Sequence, residues 1–157
     1  MKHKVTIFVL FLTVYNLYSQ CDNISSETDR FTKSTTQWTK KSLEIKKSVN
    51  TANITLSTNG YDLFFGLSVT ERLLDYSSTK QYFNKIIFLF TDGTTESIED
   101  RATHLLSLNK TQDKRLIALL KVKKVQAIRL VELSNYDFDL TFEQQDYFIN
   151  NIKCLFP

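Results

Sequence analysis

The sequence predicts an α+β fold: an antiparallel sheet of about six to eight strands, with two helices packed mainly on one face and a C-terminal helix last. Three observations carry that expectation. Short apolar runs, alternating at period two or unbroken for only five residues, recur through most of the chain. Asn-Gly and Asp-Gly pairs punctuate them, and only two late stretches place apolar residues at helical spacing.

In chain order, Lys2, His3 and Lys4 precede the apolar stretch from Val5 to Leu17 and then Tyr18, Ser19 and Gln20. This is the pattern of a secretory signal peptide over residues 1–19, because the apolar segment is shorter than a bilayer-spanning helix and Ser19 supplies the small residue at a cut. Lipid attachment at Cys21 is the rival, disfavoured by Gln20 and Tyr18 ahead of it. Residues 20–37 are rich in Ser and Thr and read as an extended N-terminal arm. A single α+β domain is expected over residues 38–157.

Within that domain Leu43, Ile45 and Val49, then Ile54 and Leu56, suggest two strands separated by residues 50–53. Asn59-Gly60 tolerates positive φ at both positions and leads into a strand from Asp62 to Thr70, giving a three-strand meander. The segment from Leu73 to Phe83 fits no single template. Ile86 to Phe90 is unbroken apolar sequence, predicting a central strand covered on both faces, and Asp92-Gly93 turns it back into Thr94 to Glu99. His104 to Leu108 extends the sheet. Thr111 to Lys121 is the first helix, with Thr111 as N-cap and Leu116, Leu119 and Leu120 inward.

Val125 to Leu133 and Tyr136 to Leu140 form a closing hairpin around Asn135. Thr141 and Gln144 match a capping box ahead of a final helix whose inward stripe is Phe148, Ile152 and Leu155, flanked by Ile149.

Composition narrows the chemistry. The chain holds 2 Cys and 2 His among 157 residues, and only His104 lies beyond the leader. There is no Gly-rich phosphate loop, no Gly-x-Ser-x-Gly elbow and no paired His or Cys at metal-ligand spacing, so no metal or other cofactor is expected. The net charge of +3 includes Lys2 and Lys4, so the exported chain is nearly neutral. With no aromatic-and-basic recognition motif either, nucleic acid is not an expected partner.

Asp137, Asp139, Glu143 and Asp146 are close enough in sequence to suggest a carboxylate pair or a calcium site, although strand alternation and a helix N-terminus already account for them. Asp92 to Asp100 lacks the spaced ladder of a calcium loop. Trp38, Tyr61, Tyr76 and Tyr82 are aromatics in polar surroundings that stand outside the core pattern, where a ring stacks on a sugar, anchors a protein partner or caps the end of the core.

The leading expectation is an exported, non-catalytic protein that binds a protein or an envelope or glycan component. Two alternatives stand beside it: a small hydrolase using a carboxylate pair, with or without His104, and a lipid-anchored surface protein held by Cys21. Cys21 and Cys154, the two cysteines, are expected to pair in an oxidising compartment. Asn23, Asn53 and Asn109 head glycosylation sequons, which matter only in a eukaryotic host.

Overall fold

The computed structural model describes residues 21–73, 76–99 and 106–157. The expected leader and His104 lie outside them. Among the described residues eleven strands and two helices follow in chain order. They are β1 (Ile24–Thr28), β2 (Thr35–Thr39), β3 (Leu43–Lys47), β4 (Asn50–Thr58), β5 (Asp62–Leu73), β6 (Tyr76–Lys80), β7 (Lys85–Phe90), β8 (Thr95–Glu99) and β9 (Leu106–Asn109). Helix α1 (Lys114–Leu120), β10 (Val125–Val131), β11 (Asn135–Asp139) and α2 (Tyr147–Leu155) complete the chain.

The strands divide into two antiparallel sheets rather than the single one expected. A 7-stranded sheet has the path β1-β2-β4-β5-β6, with β3 also on β4 and β9 also on β5. A 4-stranded sheet has the order β11-β10-β7-β8. The fold is α+β in the broad sense and mostly β.

Period-two alternation decides which side chains point inward. In β4 and β5 the buried set is Ala52, Ile54, Leu56, Leu63, Phe65, Leu67 and Val69. In the smaller sheet it is Ile86, Phe88, Phe90, Ile98, Val125, Ile128, Leu130, Tyr136 and Phe138. The two inner faces meet: the Phe88 ring stands 6.1 Å from Phe65 in β5 and 5.4 Å from Phe148 in α2. Each sheet therefore covers the other, and the helices close the core instead of carrying one face of a lone sheet. At one end the Tyr136 hydroxyl donates to Glu71 Oε1 at 2.6 Å, tying β11 to β5 across the seam. Burial and then the Glu71 carboxylate push that phenol upward, so it stays neutral.

Several local expectations need correction. Residues expected as an extended arm form the β1–β2 hairpin, where Asp29 Oδ1 accepts from the amides of Phe31 and Thr32 to shape the turn. Ser and Thr fill a strand as well as a coil when both of its faces are polar. The β3–β4 turn falls at Ser48-Val49 rather than residues 50–53, because Lys47 pairs with Asn50, and Val49 is exposed. The Leu73–Phe83 segment contributes β6.

Asn59-Gly60 and Asp92-Gly93 turn the chain as read: Gly60 and Gly93 adopt φ of 90° and 80°, which only glycine takes without strain. Strand β7 is not covered on both faces, since Ile87 and Leu89 are only half-buried.

Both helix starts move C-terminal to the expected caps. Helix α1 begins after Asp113, since the Thr111 hydroxyl donates to Asn109 Oδ1 and so belongs to the preceding loop. Helix α2 begins after Asp146 because residues 141–146 form tight turns in which the amides of Gln144 and Gln145 both donate to the Thr141 carbonyl. Of the capping box only the glutamine half is present, the Thr141 amide donating to Gln144 Oε1 at 2.9 Å. The inward stripe of Phe148, Ile152 and Leu155 is buried as the spacing required.

The Cys21 and Cys154 sulfurs are bonded at 2.02 Å and join residues separated by 133 positions. Around this bridge the Asn23 amide donates to Asn151 Oδ1 at 2.8 Å, and the Tyr147 hydroxyl lies 3.2 Å from both Thr39 Oγ1 and the Ile54 carbonyl. None of the described helices is long and apolar enough to cross a membrane.

Candidate binding surface

Alternation sends the polar set of β4 and β5 outward. Register then decides which of those side chains become neighbours. Trp38 pairs with Ser57, which pairs with Phe64, so two aromatics flank a serine in one row across β2, β4 and β5. Those rings sit two strands, about 10 Å, apart. The next outward row places Thr55 beside Gly66, and the one after it places Asn53 beside Ser68, with Glu44 on the far side of Asn53.

Gly66 makes a hollow in this face. A Cβ at that position would come within 2.4 Å of Thr55 Oγ1, which instead leans across the strand and donates to the Gly66 carbonyl at 3.3 Å. The resulting groove, of about 340 Å³, is bordered by Asn53, Thr55, Ser68, Gln81 and Tyr82. Its volume is at the small end of the ~300–1,000 Å³ typical of ligand pockets. Tyr82 is 71% exposed, although it follows a strand with a hydrophobic neighbour, Phe83, that is buried. Among the described residues no charged side chain lines the groove. Among the described residues, Asn53, Ser68 and Gln81 have side chains with no hydrogen-bond partner in the protein.

The four aromatics singled out from sequence do not converge. Trp38 is half-buried in the outer row, and Tyr82 walls the groove. Tyr61 is 75% exposed at the β4–β5 turn, where its carbonyl accepts from the Lys110 amide. Tyr76 lies in β6, and its side chain is outside the described set.

Of the carboxylates, Asp137 and Asp139 share the rim of one groove and, like Asp146, each stand beside a cation, whereas Glu143 is exposed. Arg129 Nε donates to Asp137 Oδ1 at 2.5 Å, Lys47 stands 3.7 Å from Asp139, and Lys124 stands 2.9 Å from Asp146. The Arg129 guanidinium holds the Asp137 carboxyl below its ordinary range. Asp92, bonded by Lys123 and then by Thr94, and Glu99, bonded by Lys85, are likewise shifted downward. A general acid needs the opposite shift. Among the described residues no three His, Cys, Asp or Glu are grouped to hold a metal ion.

Two further concavities lie among the described residues. On the outer face of the 4-stranded sheet, Ile87, Leu89 and Ala127 floor a groove of about 340 Å³ between the Arg129–Asp137 pair and Lys47. A wider hollow of about 770 Å³ beside the disulfide is lined by Asn23, Asn151 and Tyr147 among others. Those groups are already spent on each other and on the backbone, since Asn151 Nδ2 donates to the Tyr147 carbonyl and Asn23 Oδ1 accepts from the Lys41 amide.

Sequence reasoning passed over Gly66, Asn53, Phe64, Ser68 and Gln81 as site residues. One signal was available, because an isolated glycine inside a strand pattern marks a bulge or a close backbone approach. Comparison of the chain with protein-family models, with curated proteins and with solved structures finds no match.

Proposed function

We propose that this chain is an exported, non-catalytic binding protein that holds a protein or glycan component of the cell envelope on the outer face of its larger sheet. The observation that carries the reading is the Gly66 hollow, where unpartnered amide and hydroxyl groups stand beside an exposed tyrosine ring, with no carboxylate, histidine, lysine or arginine among the described lining residues. Such a surface is suited to recognition by stacking and hydrogen bonding.

The hydrolase alternative is weakened by the Arg129–Asp137 ion pair, which holds the Asp137 carboxyl below its ordinary range. Lipid anchoring is weakened because the Cys21 sulfur is engaged with Cys154. A disulfide-distance pair also fits the oxidising compartment that an exported chain meets.

The test is co-sedimentation of purified mature protein with insoluble envelope material from the producing cell, followed by mass analysis of the supernatant. Retention without released fragments is the expected result. Release of fragments that grows with time, or no retention at all, overturns the reading.

A further inference from the structure

We infer that the Gly66 hollow is a subsite for a neutral saccharide, with Tyr82 as its stacking wall. This rests on the binding-protein reading and narrows it to one ligand chemistry.

The lining excludes other chemistries in turn. An anionic glycan, a phosphate or a nucleic acid needs cations, and the described lining of the groove presents none. The nearest charge in register, Glu44 beside Asn53, is itself paired with Lys46 at 2.8 Å. A wholly apolar ligand would strand the amides of Asn53 and Gln81 and the hydroxyl of Ser68 without partners, which is costly once water is displaced. A peptide strand added to a sheet docks on an edge through backbone groups, whereas Asn53, Thr55 and Ser68 present side chains on the face, where β4 and β5 pair with each other.

A pyranose satisfies all of these constraints at once. Its C–H face packs on an aromatic ring, and its equatorial hydroxyls both donate and accept, matching amide and hydroxyl partners. Gly66 is what lets the ring descend to the strand: any side chain there would displace Thr55 and fill the floor. The hollow is open rather than enclosed. On the same face the next outward row carries Trp38 and Phe64, so a chain of sugar units has an apolar platform to continue along.

The probes are cellohexaose, mannohexaose, maltohexaose and chitohexaose, with a heparin hexasaccharide and an oligogalacturonate as the anionic arm. They are titrated against isotopically labelled mature protein while the backbone amides are followed by NMR. We expect saturable binding of at least one neutral oligosaccharide, with the shifts centred on Asn53, Gly66, Ser68, Gln81 and Tyr82. Tyr82→Ala should weaken it about tenfold, the loss of one anchoring ring. Tyr82→Phe should retain it, and Gln81→Ala should cost roughly threefold to tenfold, the loss of one hydrogen bond. Tyr61→Ala, an exposed tyrosine outside the groove, should leave it unchanged. Tyr82 is exposed, so its variants are expected to fold, and the amide spectrum checks this directly.

Binding of anionic probes alone, binding of none, or shifts centred on the 4-stranded sheet overturns the saccharide site. Envelope retention that survives periodate destruction of the sugars and ignores Tyr82→Ala also overturns it, while leaving the broader binding reading intact.

Discussion

Replacing both Cys21 and Cys154 by serine opens a covalent ring that spans 133 positions of sequence. On a loop-entropy account, a ring of this length stabilises the folded state by about 5 kcal/mol through restriction of the unfolded chain. Measured effects more often fall near 2–4 kcal/mol, because real unfolded chains are already compact. For a domain of this size unfolding entropy is roughly 0.3 kcal/mol/K, so the melting temperature should fall by roughly 7–15 °C.

The loss should also be local. Outside the bridge, the β1–β2 hairpin is tied to β4 by the paired positions Gln37–Thr58 and Trp38–Ser57 and by the Thr39 hydroxyl on the Leu56 backbone, and to α2 by the Asn23–Asn151 bond and the Tyr147 hydroxyl. Without the bridge, amides of β1 should exchange with solvent well ahead of those of β4 and β5. Thermal denaturation of the double variant beside the native chain, with hydrogen exchange read by mass spectrometry, tests both parts. A fall of under about 3 °C, or β1 protection equal to that of β4, would refute this reasoning. Thiol titration of the denatured, unreduced mature protein supplies the premise, since two reactive thiols per chain would mean that no bridge exists.

Three further outcomes are expected. Phe88→Ala, at the junction of both sheets and α2, should cost about 3–5 kcal/mol in urea denaturation, and a loss below about 1.5 kcal/mol would mean that the sheets do not meet through that ring. Thr141→Ala should change stability by under ~0.5 kcal/mol, whereas Gln144→Ala should cost about 1 kcal/mol by removing bonds to the Thr141 amide and the Glu44 carbonyl. The reverse order would place the helix start at residue 141 after all. Asp92 has its folded-state proton affinity depressed, chiefly by Lys123 and then by Thr94. Its contribution to stability is thus present above the unfolded carboxylate pKa and is lost as pH falls through the lower folded value. Asp92→Asn should therefore flatten the acid limb of the stability profile, and an NMR titration midpoint for Asp92 at or above the ordinary aspartate value would count against it.

Much of the fold is legible in the sequence because local signals are sufficient for it. Asn59-Gly60 and Asp92-Gly93 mark their turns through backbone conformation alone, which two adjacent residues decide. Alternation names Leu43, Ile45, Ile54 and Leu56 as inward, and all four are buried. The spacing of Phe148, Ile152 and Leu155 names the buried stripe of α2. Alternation is nevertheless silent on which strand pairs with which. Hence the split into two sheets, the hairpin at residues 24–39 and the half-exposed Ile87 and Leu89 were not legible.

The caps failed for a related reason. Thr111 and Thr141 have suitable side chains, but competing turn bonds around Asn109 and the Thr141 carbonyl shift both helix starts. The chain's own residues determined its strand-rich class, its main turns, its buried face and the two cysteines available to pair, all properties set by neighbours within a few positions. Only tertiary structure decided that Gly66 would lie beside Thr55, with Tyr82 at the rim and Asn53 and Ser68 in the next row. That hollow exists through long-range register, which depends on the whole set of strand pairings reaching their lowest free energy together rather than on any local pattern.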